Sequence, residues 1–325
     1  ATILFILSVP LLIYTLFFGA KINEGSRWIK LPIINLTIQS SDVAKLALFM
    51  YLSRVLSKKQ EVIKDFKKGF LPVIIPVFII CGLIMPANLS NALLTGATSL
   101  LLLFIGRVSF KHILLTIGVA MIPIVIIISV AMATHKANEG TMDSGKPVIA
   151  ESLKNWGRFG TWVNRVQDFM YAKDSEEPYQ VQQAKIAIAN GGIFVGLGPG
   201  NSQQRNFLPQ AYNDFIYAVI IEEYGLLGGA FIIFIYLVFL FRCIRIFRRC
   251  PFAFGAFLAV GLSFTLVIQA IANMAVNVNL LPVTGVTLPL VSMGGSSYLF
   301  TCCAIGIILS VARNVEQLEG KAPVA

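Results

Sequence analysis

Charged residues and histidines are both scarce in this 325-residue chain. Asp, Glu, Lys and Arg make up only 13% of the sequence, whereas 56% is hydrophobic and the mean hydropathy is +0.77. A soluble fold cannot cover that much apolar surface, so the composition excludes a soluble globular protein and indicates a membrane protein. The two histidines, His112 and His135, are far apart in the sequence, which argues against a histidine-based metal or catalytic site.

Cysteine patterns and hydrolase motifs are missing as well. The five cysteines show neither a disulfide framework nor a zinc-site spacing, so we expect inert core thiols. No Gly-x-Ser-x-Gly elbow is present, which disfavours a serine hydrolase. The chain starts inside an apolar run without the basic start of a signal peptide, and we therefore expect it to begin partway through a longer protein.

Long apolar runs dominate what is present. A membrane helix needs roughly 20 mostly apolar residues. By that measure the sequence predicts eight spans, at 1–20, 40–57, 70–86, 91–106, 112–133, 214–241, 252–281 and 297–313. The 40–57 run is a weak one because it contains Asp42 and Lys45. Lipid cannot satisfy free backbone groups, so the predicted fold is all-α, a polytopic transmembrane helical bundle in one domain, 1–325, with a large loop at 134–213.

Basic residues cluster in alternate loops between these spans. Lys and Arg are concentrated in 54–68, 107–111 and 242–249, and Arg313 follows the last span. Because short basic loops stay in the cytoplasm, both chain ends are predicted to be cytoplasmic and the 134–213 loop external. Topology and attraction to anionic membrane lipids explain the basic runs, so we expect no nucleic acid binding.

The external loop carries a glycine cluster at 191–200. A nucleotide-binding fingerprint is excluded because the cluster lies outside the cytoplasm. Two interpretations stay open, a backbone nest for a phosphate-bearing lipid headgroup and ordinary turn chemistry.

Three acids follow the glycine cluster at the start of the next span. Asp214 lies at the predicted external end of that helix, where it is either a helix cap or a functional group. Glu222 and Glu223 lie deeper in the same span. Carboxylates inside a membrane helix are costly and are candidates for function, and their structural alternative is an internal network with Lys45 or Arg205.

Three stretches resemble signatures of the SEDS family (shape, elongation, division and sporulation). Residues 25–29 and 38–46 are similar to G-A-x-R-W and Q-P-S-E-x-A-K, and residues 203–225 resemble Q-K-x-x-x-L-P-E-x-x-x-D-F-I-F-A-x-x-x-E-E-x-G. Residues 281–297 resemble P-x-T-G-x-x-L-P-x-x-S-Y-G-G-S-S. Within the family, residues 200–204 are similar to the G-N-S-x-Q-K of division members, and an elongation member stays open as the alternative.

The sequence departs from the family pattern at several positions. Ser40 replaces a Pro, Met293 replaces a Tyr, and Asp42 replaces a Glu while keeping its charge. Gln210 and Asn88 stand where relatives commonly have acids, so no role that needs a carboxylate is expected there.

The resemblance implies a ten-helix fold, of which this chain would hold helices three to ten. It also implies a peptidoglycan glycosyltransferase of the bacterial cytoplasmic membrane. Such an enzyme polymerises lipid II, the undecaprenyl-diphosphate-linked disaccharide-pentapeptide, on the outer face and releases undecaprenyl diphosphate. The implied partners are a class B penicillin-binding protein, which is a transpeptidase, and the divisome proteins at the septum. No cofactor follows with certainty, and a divalent cation stays open.

The resemblance also implies roles for individual residues. Asp214 is the candidate base that takes the proton of the acceptor hydroxyl. The candidates for substrate binding, mainly diphosphate contacts and interfacial groups, are Arg27, Trp28, Lys45, Arg205, Gln203, Ser296 and Ser297. The candidate intramembrane acids are Asp42, Glu222 and Glu223.

Two other functions remain compatible with the sequence. A lipid II flippase would use the intramembrane charges as a polar path, although inverted repeats are not evident. A non-catalytic scaffold would tolerate replacement of Asp214. The large external loop next to an acid at the membrane edge favours external chemistry.

Overall fold

The computed structural model describes residues 1–22, 25–30, 37–139, 158–171 and 178–319. These residues form ten α-helices and three short β-strands. The helices are α1 (Thr2–Phe18), α2 (Ser40–Lys58), α3 (Leu71–Ile84), α4 (Leu89–Ile105), α5 (Phe110–Glu139), α6 (Phe159–Tyr171), α7 (Tyr179–Gly191), α8 (Ile216–Arg249), α9 (Ala253–Asn277) and α10 (Gly295–Glu319). A π-helical turn, Phe66–Phe70, leads into α3, and a 3₁₀ turn, Gln204–Asn206, lies between α7 and α8.

Each of the eight predicted spans contains a helix, which confirms the all-α membrane bundle. Five helical stretches are long and apolar enough to cross a membrane, and α1 and α4 are apolar but shorter. The five are Phe66–Ile84, Phe110–Thr134, Ile216–Arg249, Ala253–Asn277 and Gly295–Leu318. The chain is therefore a multi-pass membrane protein.

Among the eight helices in the predicted spans, α2 is the most polar, and its central position explains how the membrane tolerates its charges. It packs against α1, α3, α4, α9 and α10. Four apolar residues of α2 are completely buried: Ala44, Leu48, Phe49 and Leu52. Because neighbouring helices shield α2 from lipid, its polar first turn does not face hydrocarbon, where charge is most costly.

The outer helices contrast with this centre. In the most apolar stretch of α9, 61% of the residues are buried inside the bundle. The corresponding stretches of α5 and α8 have only 17% and 11% of their residues buried. The apolar side chains that α5 and α8 expose form surface that lipid tails would cover.

A small antiparallel sheet lies between α1 and α2, where the sequence predicted only a loop. Its strands, β1 (Ala20–Ile22), β2 (Gly25–Lys30) and β3 (Thr37–Gln39), pair in the order β1-β2-β3, with Trp28 opposite Gln39. The sheet joins the first motif stretch to the start of α2, which places Trp28 beside the first turn of that helix.

Helix α8 is interrupted at Gly225, whose φ is 72° and ψ is −178°. The interruption leaves backbone groups without helical partners, and the 192–198 segment satisfies them. The hydrogen bonds run from Leu197 N to Glu222 O (2.9 Å), Gly198 N to Glu223 O (3.0 Å), Leu226 N to Gly192 O (3.1 Å) and Leu227 N to Ile193 O (3.4 Å). A broken helix inside a membrane bundle needs such replacement partners.

The close approach of this segment to α8 requires glycine. A Cβ on Gly191 would lie 2.0 Å from Ile221 O, and one on Gly196 would lie 2.3 Å from Glu223 O. Since the N–H groups of residues 197 and 198 bond to α8, they do not point at a phosphate. Of the two interpretations of the glycine cluster, the geometry favours turn and packing chemistry over an anion nest.

Candidate functional site

A cavity of about 720 Å³ lies where the three motif stretches meet, and we call it the central cavity. Its lining includes five of the predicted site residues, Trp28, Asp42, Lys45, Asp214 and Ser297. Gln39, Gln180, Gln210 and Gln269 add carboxamide groups to the wall. The cavity is therefore polar although the bundle around it is apolar.

Asp214 lies two residues before α8 and does not cap it. The capping position is Phe215, which makes no side-chain hydrogen bond to the helix. Asp214 is half-buried, and a Cβ on Gly285 would lie 3.5 Å from its Oδ2. The sequence left two roles open for Asp214, a helix cap and a functional group. Its position argues against the cap.

Two asparagines of α9 hold the backbone of Asp214. Asn273 Nδ2 and Asn277 Nδ2 each donate to Asp214 O at 2.8 Å. Asn277 Oδ1 also accepts from Ala218 N at 3.0 Å, which supplies the first turn of α8 with an acceptor. Both asparagines are 1% exposed. One buried pair thus positions the candidate base and starts the helix that follows it.

The third motif stretch packs directly against the turn that precedes α8. Ser292 Oγ donates to Asn213 O at 2.5 Å and accepts from Leu288 N at 2.7 Å. Met293 N donates to Tyr212 O at 2.8 Å. These bonds explain why the second and third motif stretches, about 70 residues apart, form one wall.

The first motif stretch contributes an ion pair. Lys45 Nζ lies 2.8 Å from Asp42 Oδ1, one turn apart near the start of α2, and both side chains are buried. Asp42 Oδ2 is buried and makes no hydrogen bond within the described part of the chain. Arg27 lies on β2 next to Trp28, but its side chain is outside the described residues, so its predicted role stays a prediction.

Ser296 and Ser297 lie in the first turn of α10 and have different surroundings. Ser297 lines the central cavity, and its Oγ is 3.1 Å from Thr287 Oγ1. Ser296 is completely buried, and its Oγ accepts from Gln39 N at 3.2 Å. Ser296 therefore joins β3 to α10 and does not reach the cavity.

Two arginines of the cavity were not among the predicted site residues. Arg158 and Arg165 line it, and Arg165 Nη1 donates to Val283 O at 3.0 Å. Burial lowers the pKa of Arg165, and the carboxylates of Asp214 and Asp168 oppose that effect by raising it. The sequence places both arginines in the external loop, but only the tertiary structure brings both into the cavity lining, with Arg165 close enough to Asp214 for the two charges to interact.

Glu222 is fully buried away from the central cavity. Its carboxylate accepts from Ser202 Oγ, from Gln204 N at 3.2 Å and from Asn190 Nδ2 at 3.3 Å. The predicted internal network exists, but its members are these groups and neither Lys45 nor Arg205. Glu222 ties the 190–204 segment to α8.

Glu223, Gln203 and Arg205 also lie outside the lining of the central cavity. Gln203 is exposed, and the Arg205 backbone N–H donates to Ser202 Oγ at 3.1 Å. The geometry thus separates these three from the residues around Asp214.

A divalent cation would find few protein ligands here. Within the described residues, no group of three or more His, Cys, Asp or Glu side chains is placed to hold a metal ion. Asp42 is engaged by Lys45, so Asp214 together with substrate phosphates is the arrangement that fits Mg²⁺.

Comparisons with known proteins identify the family of the chain. The family model described as "Cell cycle protein", named for FtsW, RodA and SpoVE, matches residues 1–317. A probable peptidoglycan glycosyltransferase FtsW of Trichlorobacter lovleyi is 33% identical over 307 residues, which are 93% of this chain and 73% of the relative. The protein of the same name in Bacillus subtilis is 32% identical over 318 residues, 97% of this chain and 74% of the relative.

Two solved structures have the same fold. A chain of a peptidoglycan synthase complex that coordinates polymerization and crosslinking superposes with a TM-score of 0.71 at 24% identity, covering 97% of this chain and 81% of that chain. The rod shape determining protein RodA of Thermus thermophilus gives a TM-score of 0.62 at 21% identity, covering 96% and 77%. By sequence and by fold, the chain belongs to the cell cycle protein family of FtsW, RodA and SpoVE.

Proposed function

We propose that this protein is a peptidoglycan glycosyltransferase that polymerises lipid II at the outer face of the cytoplasmic membrane during cell division. The observation that carries the proposal is the central cavity, where Asp214 lies among Lys45, Arg158 and Arg165. A base next to several cations suits the transfer of a sugar from a diphosphate leaving group. The relatives named as probable peptidoglycan glycosyltransferases support the same reaction.

In the proposed reaction the acceptor hydroxyl oxygen attacks the anomeric carbon of the donor sugar. The hydroxyl proton passes to the Asp214 carboxylate as the new glycosidic bond forms. The bond between the anomeric carbon and the diphosphate breaks, and undecaprenyl diphosphate leaves with the bonding electrons. The diphosphate is already an activated leaving group, so no nucleotide is needed.

The cations of the cavity would hold the diphosphate. Arg158 and Arg165 offer forked donors that match phosphate oxygens, and Lys45 offers a point charge. Arg205 was predicted for this role, but Arg165 is better placed because the charge of Asp214 acts on it directly. Asp42 would keep Lys45 oriented at the cavity wall.

The test is polymerisation of lipid II by purified protein, with and without its cognate transpeptidase. We expect glycan strands from the native protein and a loss of about 10²–10⁴-fold in rate for Asp214→Asn. Glu61→Gln is the matched control, because Glu61 is an exposed carboxylate in the turn between α2 and α3. Strands made at the native rate by Asp214→Asn would refute the assignment of the base.

The same preparation in liposomes separates polymerisation from transport. Transbilayer movement of lipid II without strands would identify a flippase, which the buried Asp42–Lys45 pair would then serve. Growth of cells that carry only Asp214→Asn would identify a scaffold.

The partner is proposed to be a class B penicillin-binding protein within the divisome. The similarity to a chain of a complex that couples polymerization with crosslinking supports a transpeptidase partner. Both ends of the chain are proposed to be cytoplasmic and the protein to act at the septum. Reporter fusions at the C-terminus and co-purification with the transpeptidase test these points.

A further inference from the structure

A second, smaller cavity lies beside the central one, and we call it the side cavity. It has a volume of about 180 Å³ and is enclosed by α6, the start of α7 and the 279–283 turn. Arg165, Gln180 and Val283 line both cavities, so they form a common wall. Asp214 lines the central cavity and Asp168 lines the side cavity, and both carboxylates raise the pKa of Arg165.

The side cavity has no excess of either charge among its described residues, which favours a neutral ligand over a simple ion. The described lining contains one cation, Arg165, and one anion, Asp168. A metal ion would be repelled by the guanidinium, and a phosphate would be repelled by the carboxylate. Burial raises the pKa of Asp168, while Arg165 lowers it, and the residue as a whole stays exposed. A neutral, strongly hydrogen-bonding ligand fits both groups.

The remaining lining groups suit a sugar ring. Gln180 and Asn279 offer carboxamides that donate and accept, and Asp168 offers an acceptor. The side chains of Gln180 and Asp168 make no hydrogen bond to another residue within the described ranges of the chain. Phe169, which is 43% exposed, and Pro282 add flat apolar surface, against which the C–H face of a sugar packs.

The backbone gives the side cavity a defined shape. Asn279 has a φ of 57°, in the left-handed region that asparagine tolerates, directly after α9 ends. Its N–H donates to Val276 O at 3.0 Å, which holds the turn against the helix. The opposite wall is fixed by α6, where Gln167 Nε2 donates to Ala131 O at 2.9 Å. The subsite is thus built from anchored elements.

We propose that the side cavity binds a sugar residue of the glycan strand while the central cavity extends that strand. This inference rests on the proposed polymerase function and adds a subsite to it. A strand held next to the reaction site stays bound between additions, so the subsite would set how many sugars are added before release. The residues that bind the sugar would be Asp168, Gln180 and Asn279.

Strand length is the first measurement. We expect Asp168→Ala and Gln180→Ala to shorten the median glycan strand about two- to tenfold, the cost of one lost hydrogen bond. For Asp168→Ala, which lines only the side cavity, the initial rate of lipid II consumption should change much less. Asn164→Ala is the matched control, because Asn164 is exposed on α6 and lines neither cavity. Native strand lengths in both variants would overturn the proposal.

A lipid II with a truncated peptide separates sugar from peptide recognition. Arg165 and Asp168 would also suit a peptide that carries both charges. If the strands of Asp168→Ala are shortened only with the full peptide, the side cavity binds peptide and the sugar proposal is wrong. Equal shortening with both substrates supports the sugar.

Direct binding keeps the proposal testable when polymerisation fails. The probe is a neutral N-acetylglucosamine tetramer, titrated onto the Asp214→Asn protein. We expect Asp168→Ala or Gln180→Ala in that background to weaken binding about two- to tenfold, and Asn164→Ala to leave it unchanged. Absence of binding, or equal binding by all variants, refutes the subsite. Absence of strands from the native protein refutes the polymerase function instead.

Discussion

Asp214 and Glu222 lie eight residues apart in the same motif stretch, yet the fold treats them differently. Glu222 is fully buried and accepts hydrogen bonds from Ser202, Asn190 and Gln204. Asp214 is half-buried, lines the central cavity, and is held through its backbone carbonyl by Asn273 and Asn277. Anchoring by the main chain leaves the Asp214 carboxylate directed to the cavity, whereas the Glu222 carboxylate is itself part of the architecture.

The largest expected effect separates the two acids by activity. Asp214→Asn should lower the rate of lipid II polymerisation about 10²–10⁴-fold, because the base is lost while size is kept. The melting temperature in detergent should stay within error of the native value. A large drop in melting temperature would mean that Asp214, like Glu222, is structural.

The second-largest expected effect distinguishes Glu222 from Asp214 by its contribution to thermal stability. Glu222→Ala removes the acceptor of one buried donor, Ser202 Oγ, and of two part-buried donors, Gln204 N and Asn190 Nδ2. The buried donor left unsatisfied costs about 1–3 kcal/mol. We expect a clearly lower melting temperature, measured by thermal unfolding in detergent. Native melting behaviour would show that the network around Glu222 does not stabilise the fold.

The packing of the glycine segment on α8 gives a second test of whether the region around Glu222 stabilises the fold. Gly191→Ala should destabilise the protein by about 1–3 kcal/mol or more, because the added Cβ would meet Ile221 O at 2.0 Å. Gly118→Ala is the control, since nothing lies within 4 Å of its added Cβ. Equal melting temperatures for the two variants would contradict the close contact.

The backbone anchor of Asp214 is expected to have an intermediate effect. Asn277→Ala removes a donor to Asp214 O and the acceptor of Ala218 N, at about 0.5–1.5 kcal/mol for each bond. The rate at saturating lipid II should fall more than the apparent affinity for lipid II, because a displaced base acts on the chemical step. A change in affinity alone would argue against a positioning role.

The smallest expected effect concerns charge next to Arg165. Burial raises the pKa of Asp168 above its ordinary 3.8, so the ionised carboxylate disfavours the folded state at pH values above its folded pKa. Asp168→Asn should therefore raise the melting temperature slightly at neutral pH. The difference should vanish as the pH falls below 3.8, where both states of Asp168 are protonated. If Asp168→Asn still raised the melting temperature at low pH, the ionised Asp168 carboxylate would not be the cause of the stabilisation.

Much of the fold follows from apolar run length alone. All eight predicted spans contain helices, and even the weak one, 40–57, corresponds to α2. The sheet β1–β3 was not predicted, because its strands are three to six residues long and pair only locally. The interruption at Gly225 was also missed, since its hydrogen-bonding partners come from a distant segment.

The candidate site was predicted in part. Trp28, Asp42, Lys45, Asp214 and Ser297 all line one cavity, as motif residues of one family would. Gln203 and Arg205 were chosen by their proximity in sequence to Asp214, but the chain folds them away from the cavity. Arg158 and Arg165 were passed over because nothing in their local sequence marks them.

The sequence by itself determined the membrane class, the helical spans and the family, because hydrophobic length and short motifs are local properties of the chain. Only the tertiary structure decided which charges share a cavity. That outcome depends on contacts between segments far apart in sequence, such as Asn273 and Asn277 on Asp214 or Arg165 docked beside it. The free energy of burying a charge depends on those neighbours, so two acids of one motif acquire different roles.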